Sequence, residues 1–136
     1  MKPAPLHHPT PLPDTLRWAV EAAHAKQAAS VVLLDLRELG AFADFFLICT
    51  GGSSRQIGAV REAIEERLEQ GHVRTTHREG RSTDDWVLLD YGRFVVHIFT
   101  ERARLFYDLE RLWRAARRVE FADAARPPTR EKEFGR

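Results

Sequence analysis

Apolar and polar positions alternate along this chain with several periods, and each period predicts an element. Leu16, Ala19, Val20 and Ala23 recur every three or four residues behind Asp14, a residue suited to an N-cap, which predicts a helix from Asp14 to about Ser30. Val31 to Leu36 is a nearly unbroken apolar run of strand length, as expected of a strand buried on both faces at the centre of a sheet. Gly40 then turns the chain into a second strand, Asp44 to Thr50. Ile57, Val60, Ile64 and Leu68 predict a helix from about Ser53 to Gln70, with Gly71 as its C′ residue and Arg55, Arg61, Glu62, Glu65, Glu66 and Glu69 mainly away from that stripe. His72 to His77 alternates weakly and is polar, which suggests an edge strand.

Asp85–Asp90 and Arg93–Thr100 are two strong strand patterns separated by Tyr91 and Gly92. A two-residue hairpin loop would set Asp90 opposite Arg93, Leu88 opposite Val95 and Trp86 opposite His97, all on one face. Val87, Leu89, Phe94, Val96 and Ile98 would then form a wholly apolar core face. Tyr at the first turn position disfavours positive φ, so a longer turn stays open. From Thr100, a capping residue, a last helix carries the stripe Leu105, Phe106, Leu109, Leu112 and Trp113. Tyr107 lies about 200° round from Leu109 and points away from that stripe, which makes it a docking candidate. The order of elements gives an α/β fold with a mixed five-stranded sheet and packed helices. A single domain over residues 14–113 is expected, between a flexible proline-rich arm (1–13) and a flexible Arg-rich tail (114–136).

Composition narrows the chemistry. With 136 residues, 43% hydrophobic and 30% charged, the chain can fill one modest core, and a net charge of +1 argues against general nucleic-acid binding. Arginines 114, 117 and 118 suggest no more than minor RNA contacts. The lone Cys49 excludes an internal disulfide and any paired-cysteine zinc site. The sequence has no membrane-length apolar run and no hydrophobic signal core, so a cytoplasmic protein without a membrane role is expected.

Asp44 to Arg55 reads DFFLICTGGSSR, a strand, a Gly-Gly turn and a capped helix start, which is the geometry of a phosphate cradle. A strand, Gly-Gly-Ser turn and helix also open the nucleotidyltransferase fold, whose chemistry needs carboxylates on the following strand to hold Mg²⁺. Residues 72–77 contain none, and no Walker lysine or Gly-x-Gly-x-x-Gly is present. Asp35 with Asp44, His7 with His8, and Cys49 with His97 are each read more economically as turn, tail and core residues than as metal or catalytic sites. No catalytic residue, metal site or cofactor is therefore expected, and a nucleotide-binding enzyme using the Thr-Gly-Gly-Ser loop stands as the alternative. What remains is a surface of Trp86, Leu88, Val95 and His97 edged by Asp90 and Arg93, with Tyr107 nearby. Pattern alone leaves open whether a helix covers that face.

Several motifs together resemble the ribosomal silencing factor family, also called RsfS or Iojap. They are Ala43–Gly51 followed by Ser53-Ser54-Arg55, Glu79-Gly80, Asp85–Gly92, Val95–Phe99 and Phe106–Trp113, in family order and spacing from about residue 14 to Trp113. The resemblance implies a nucleotidyltransferase-like domain that is not an enzyme. It implies binding to ribosomal protein L-fourteen on the large subunit, a block to small-subunit joining, and a homodimer when free. Carried over by residue, the interface falls on Trp86, Asp90 and Tyr107, with Asp85, His97 and Glu110 as neighbours. Arg93, where the family often has a carboxylate, and Thr-Gly-Gly-Ser, where Thr-Gly-Thr-Ser is common, are departures.

Overall fold

The computed structural model describes residues 12–81 and 84–123. The bulk of the proline arm, with His7 and His8, lies outside them, as does the chain beyond residue 123. The elements in chain order are α1 (Asp14–Ala25), β1 (Ala29–Asp35), β2 (Phe45–Thr50), α2 (Ser54–Gln70), β3 (His77–Glu79), β4 (Trp86–Asp90), β5 (Phe94–Phe99), α3 (Glu101–Tyr107), α4 (Leu109–Leu112) and β6 (Arg117–Phe121). The strands form one mixed sheet in the order β3-β4-β5-β2-β1-β6. β2 and β5 run parallel, and every other neighbouring pair is antiparallel.

The sheet thus has six strands where five were expected. β6 comes from the segment assigned to a tail, and it adds to the free edge of β1 with Asp35 opposite Arg117 and Val31 opposite Phe121. Its pattern is mostly exposed, which is why alternation gave little warning of it. The centre of the sheet is β2 and β5 in place of the expected β1, which is interior only because β6 covers its edge, and β5 is buried along its whole length.

One face of the sheet is closed by α1 and α2. Leu16, Ala19, Val20 and Ala23 of α1 and Ile57, Val60, Ile64 and Leu68 of α2 pack with Val31, Leu33, Phe45, Leu47, Val87, Leu89, Val96 and Ile98. The predicted helical stripes are therefore the observed core. Ser53 caps α2 by accepting the Gln56 N–H at 3.1 Å.

Both long helices end in a Schellman arrangement. In α2 the Val73 N–H reaches the Leu68 carbonyl and His72 that of Glu69, so the left-handed residue is His72 (φ 66°), and Gly71 is not the C′ residue. Gly71 is needed for room, since a Cβ there would sit 2.3 Å from the Trp18 ring. In α1 the same pattern falls on Gln27 (φ 61°), which ends that helix earlier than the expected Ser30. Because residues 71–73 complete the end of α2, pairing with β4 begins only at Thr76, whose N–H bonds the Asp90 carbonyl, and the edge strand is 77–79 instead of 72–77.

The β4–β5 hairpin is also displaced. Asp90 pairs with Val95, Leu88 with His97 and Trp86 with Phe99, two residues from the expected register. The tyrosine stays out of the left-handed region, and Gly92 (φ 87°) takes the positive φ. A slip of two preserves side-chain parity, so the expected division of faces survives.

Candidate functional site

The second sheet face carries Val32, Leu34, Phe46, Ile48, Val95, His97 and Phe99, all buried, with Ala103, Leu109, Trp113 and Ala116 packed in the same cluster, and it is open only toward β4, where Trp86 and Leu88 are half-buried. The expected single helix beyond Thr100 is two short ones. Asp108 takes left-handed dihedrals (φ 49°, ψ 51°) between α3 and α4, so the stripe of Leu105, Phe106 and Leu112 is not buried as predicted. These side chains are 75%, 78% and 70% exposed. Tyr107 lies one helical turn beyond the buried Ala103 on α3 and so faces the sheet, where it packs on Trp86 at a centroid distance of 4.5 Å and on Phe99 at 6.3 Å.

Trp86 is the centre of this cluster. Its ring stacks on Phe99 at 5.0 Å, and its indole Nε1–H donates to His97 Nδ1 at 3.1 Å. Accepting at Nδ1 places the proton of a neutral imidazole on Nε2. His97 is buried, and desolvation pushes its pKa down to about 3, so the ring stays neutral and keeps its acceptor for Trp86. Its other side meets Phe46 edge-on at 4.6 Å. His97 is thus an internal support that fixes the indole, with its own surface covered.

A groove of about 630 Å³ opens beside Trp86 and Tyr107, with Leu88 and Phe106 in its wall and Glu79, Asp84 and Asp85 along one rim. Gly80 (φ 91°) permits the close approach of that rim, because a Cβ there would lie 2.3 Å from the Trp86 carbonyl oxygen. Asp85 is exposed at the groove, and its carbonyl accepts the Thr100 N–H. Asp90 sits at the far end of β4, about 13 Å along the strand from Trp86, where its carboxylate caps the Gly92 N–H at 2.8 Å.

Glu110 is drawn into a different structure. It accepts from Arg104 Nε and Nη2 at 2.9 and 3.0 Å and from Arg118 at 2.8 Å, and these arginines, Arg104 first, hold its carboxyl below the usual range. Arg104 also donates to the Ser30 carbonyl and to Thr50 Oγ1, which ties α3 and α4 to the ends of β1 and β2. The structure therefore gathers Trp86, Tyr107, Asp85 and His97 into one site and leaves Asp90 and Glu110 at its borders. Phe106 and Glu79 join the groove without having been singled out for it. The only sequence signal was their place in the quoted motifs.

The Gly-Gly turn is filled from within. Gly52 N–H donates to Gln56 Oε1 at 2.6 Å, and Gln56 Nε2 donates to the carbonyls of Lys26 and Gln27 at 3.0 and 2.9 Å. Gly51 N–H bonds the Phe99 carbonyl, so that donor too is engaged inside the fold. Asp35 and Asp44 are bound by Arg37 and Arg93. Cys49 is fully buried, and desolvation pushes its thiol up to about 12. Among the described residues no cluster of His, Cys, Asp or Glu could hold a metal ion, and no helix is long and apolar enough to cross a membrane.

Fold and site together define a small α/β domain with a half-exposed aromatic platform beside a groove. The chain belongs to the ribosomal silencing factor family: the family model described as "Ribosomal silencing factor during starvation" matches residues 9–135. That match runs past Trp113, where the motif resemblance stopped, and takes in β6. The chain is 37% identical over 107 residues to ribosomal silencing factor RsfS of Halalkalibacterium halodurans, covering 79% of this chain and 92% of the relative. It is 36% identical over 98 residues to RsfS of Bacillus subtilis, covering 72% and 83%. Its fold matches the crystal structure of a Chromobacterium violaceum protein with a TM-score of 0.73 at 28% identity, over 88% of this chain and 100% of the other.

Proposed function

We propose that this chain is a non-catalytic, cytoplasmic translation repressor that docks on ribosomal protein L-fourteen of the large ribosomal subunit and sterically blocks joining of the small subunit. The observation that carries this reading is the Trp86–Tyr107 platform, which stands partly exposed on the less covered sheet face beside an acid-rimmed groove. Aromatic anchors with a polar rim are the usual energetic centre of a protein interface. Trp86, Tyr107 and Asp85 make the contact, Asp90 lies at its edge, and His97 and Glu110 act behind it by fixing Trp86 and α3. In the free state the family resemblance favours a homodimer. Co-sedimentation with isolated large subunits tests the proposal: Trp86→Ala or Tyr107→Ala is expected to weaken binding by about 2 kcal/mol, roughly 30-fold. Full binding by both variants would remove this face from the interface.

The alternative, a nucleotide-binding or nucleotidyltransferase-type enzyme on a nucleotidyltransferase-like scaffold, is disfavoured by Gln56, which already occupies the Gly52 N–H that a phosphate would need. Titration calorimetry with ATP and Mg²⁺ is expected to give no binding heat at millimolar nucleotide. A saturable heat would restore the enzyme reading.

A further inference from the structure

The segment from residue 111 to 118 reads RLWRAARR, with four arginines and no carboxylate. Many of this chain's arginines sit against an acid, as Arg61, Arg78, Arg93 and Arg104 do, and so does Arg118, which binds Glu110 and Glu120. Arg111 and Arg114 differ. Both are exposed, one turn apart at the end of α4, and neither forms an ion pair among the described residues. Arg117 opens β6 opposite Asp35, on the side of the sheet where Val119 and Phe121 pack against the α1–α2 core, and it acts on the Asp35 carboxylate through space. Two exposed forked cations, Arg111 and Arg114, thus remain without an ion pair among the described residues.

The location of this turn gives those charges a use. Trp113 lies within it and meets Phe46 edge-on at 5.9 Å, Phe46 meets His97 at 4.6 Å, and His97 holds the Trp86 indole. Through Leu109 and Trp113, α4 therefore covers the same sheet face that carries the Trp86–Tyr107 platform, and Arg111 follows Tyr107 by about one helical turn of chain. A large partner seated on the platform extends toward Arg111 and Arg114. On a ribosomal subunit a protein's neighbour is RNA, and the planar guanidinium fork suits phosphate oxygens better than the point charge of lysine. We infer that Arg111 and Arg114 form an RNA-backbone contact, anchoring the docked protein to phosphates next to its protein partner. The inference rests on the docking proposal for the source of the RNA, though not for the chemistry of the turn.

The test is a salt titration of the full chain binding to large subunits, repeated with the double variant Arg111→Gln, Arg114→Gln and with Trp86→Ala. Each phosphate contact contributes roughly 0.7–0.9 to the slope of log affinity against log salt, so the double variant is expected to lower that slope by about 1.5 to 2 and to bind at least about fivefold more weakly at low salt. Trp86→Ala is expected to lose affinity with its slope unchanged. A double variant with the wild-type slope would overturn the inference. If the wild type does not bind subunits at all, the docking proposal fails, and a labelled RNA hairpin at about 50 mM salt decides the remainder. Hairpin binding that the double variant loses supports the contact. No binding by the wild type, or binding to anionic phosphatidylserine vesicles in place of RNA, overturns it.

Discussion

His97 shows how one buried side chain connects stability to the docking face. Its ordinary pKa of 6.5 falls to about 3 in the fold because burial penalises the imidazolium. Between those values the unfolded chain takes up a proton that the folded chain refuses, so stability decreases as pH drops from about 6.5 toward 3. Asp35 and Glu110 are also shifted down, by their arginine partners, but from the lower carboxylate range, so their contribution is lost only in more acid solution. The window from pH 6.5 to 5 therefore isolates His97. Urea unfolding at pH 7 and pH 5 is expected to show a loss on the order of 1–2 kcal/mol for the wild type. His97→Gln keeps an acceptor for the Trp86 indole and is expected to lose most of that pH dependence; an unchanged loss would place its source elsewhere. At this scale the sequence was informative about faces and silent about partners. Alternation put Trp86 and His97 on one side of the sheet, but their bond is diagonal, because Gly92 set a register in which Trp86 opposes Phe99.

Elements were legible where a repeat ran long and failed where a single backbone angle intervened. The α2 helix spans seventeen residues, and the four apolar positions of its stripe are all fully buried. The stripe after Thr100 looked equally regular, yet Asp108 breaks it without a glycine or proline to mark the place. A residue in the left-handed region costs roughly 1 kcal/mol more when it is Ala than when it is Gly, Asn or Asp. Asp108→Ala is accordingly expected to lower stability by about 1 kcal/mol, while Asp108→Gly stays within about 0.5 kcal/mol of the wild type. Equal effects of the two in chemical denaturation would show that the Asp108 side chain, and not its φ, matters. The same break changes what Phe106 does. As a core residue it would cost 3–5 kcal/mol on truncation, in the range of about that size for buried phenylalanine, but at 78% exposure Phe106→Ala is expected within about 0.5 kcal/mol.

For the whole molecule, the docking proposal assigns folding to the buried clusters on both sides of the sheet and recognition to the half-exposed Trp86–Tyr107 platform. The α1–α2 face holds a closed apolar core, so Ile64→Ala, at a fully buried site, is expected to destabilise by about 2–5 kcal/mol while the molecules that remain folded bind large subunits as the wild type does. Tyr107 is 47% exposed and rests on Trp86 from outside, so Tyr107→Ala should remove little stability and most of the binding. Measuring unfolding and subunit affinity on both variants checks the separation, because a single shared core would move both quantities together in each. The Gly-Gly turn belongs with the first group. Its cradle shape was plain in the sequence, but the side chain that closes it, Gln56, is an unremarkable polar residue in the first turn of α2. Its carbonyl oxygen takes the Gly52 N–H while its amide nitrogen bonds the carbonyls at the end of α1, joining β2, α2 and α1 at one point. Gln56→Ala would leave the Gly52 N–H without its side-chain acceptor and break the link to α1, and it is expected to cost about 1–3 kcal/mol with subunit affinity unchanged. A loss of affinity without a loss of stability would instead put the turn on the docking side of the molecule.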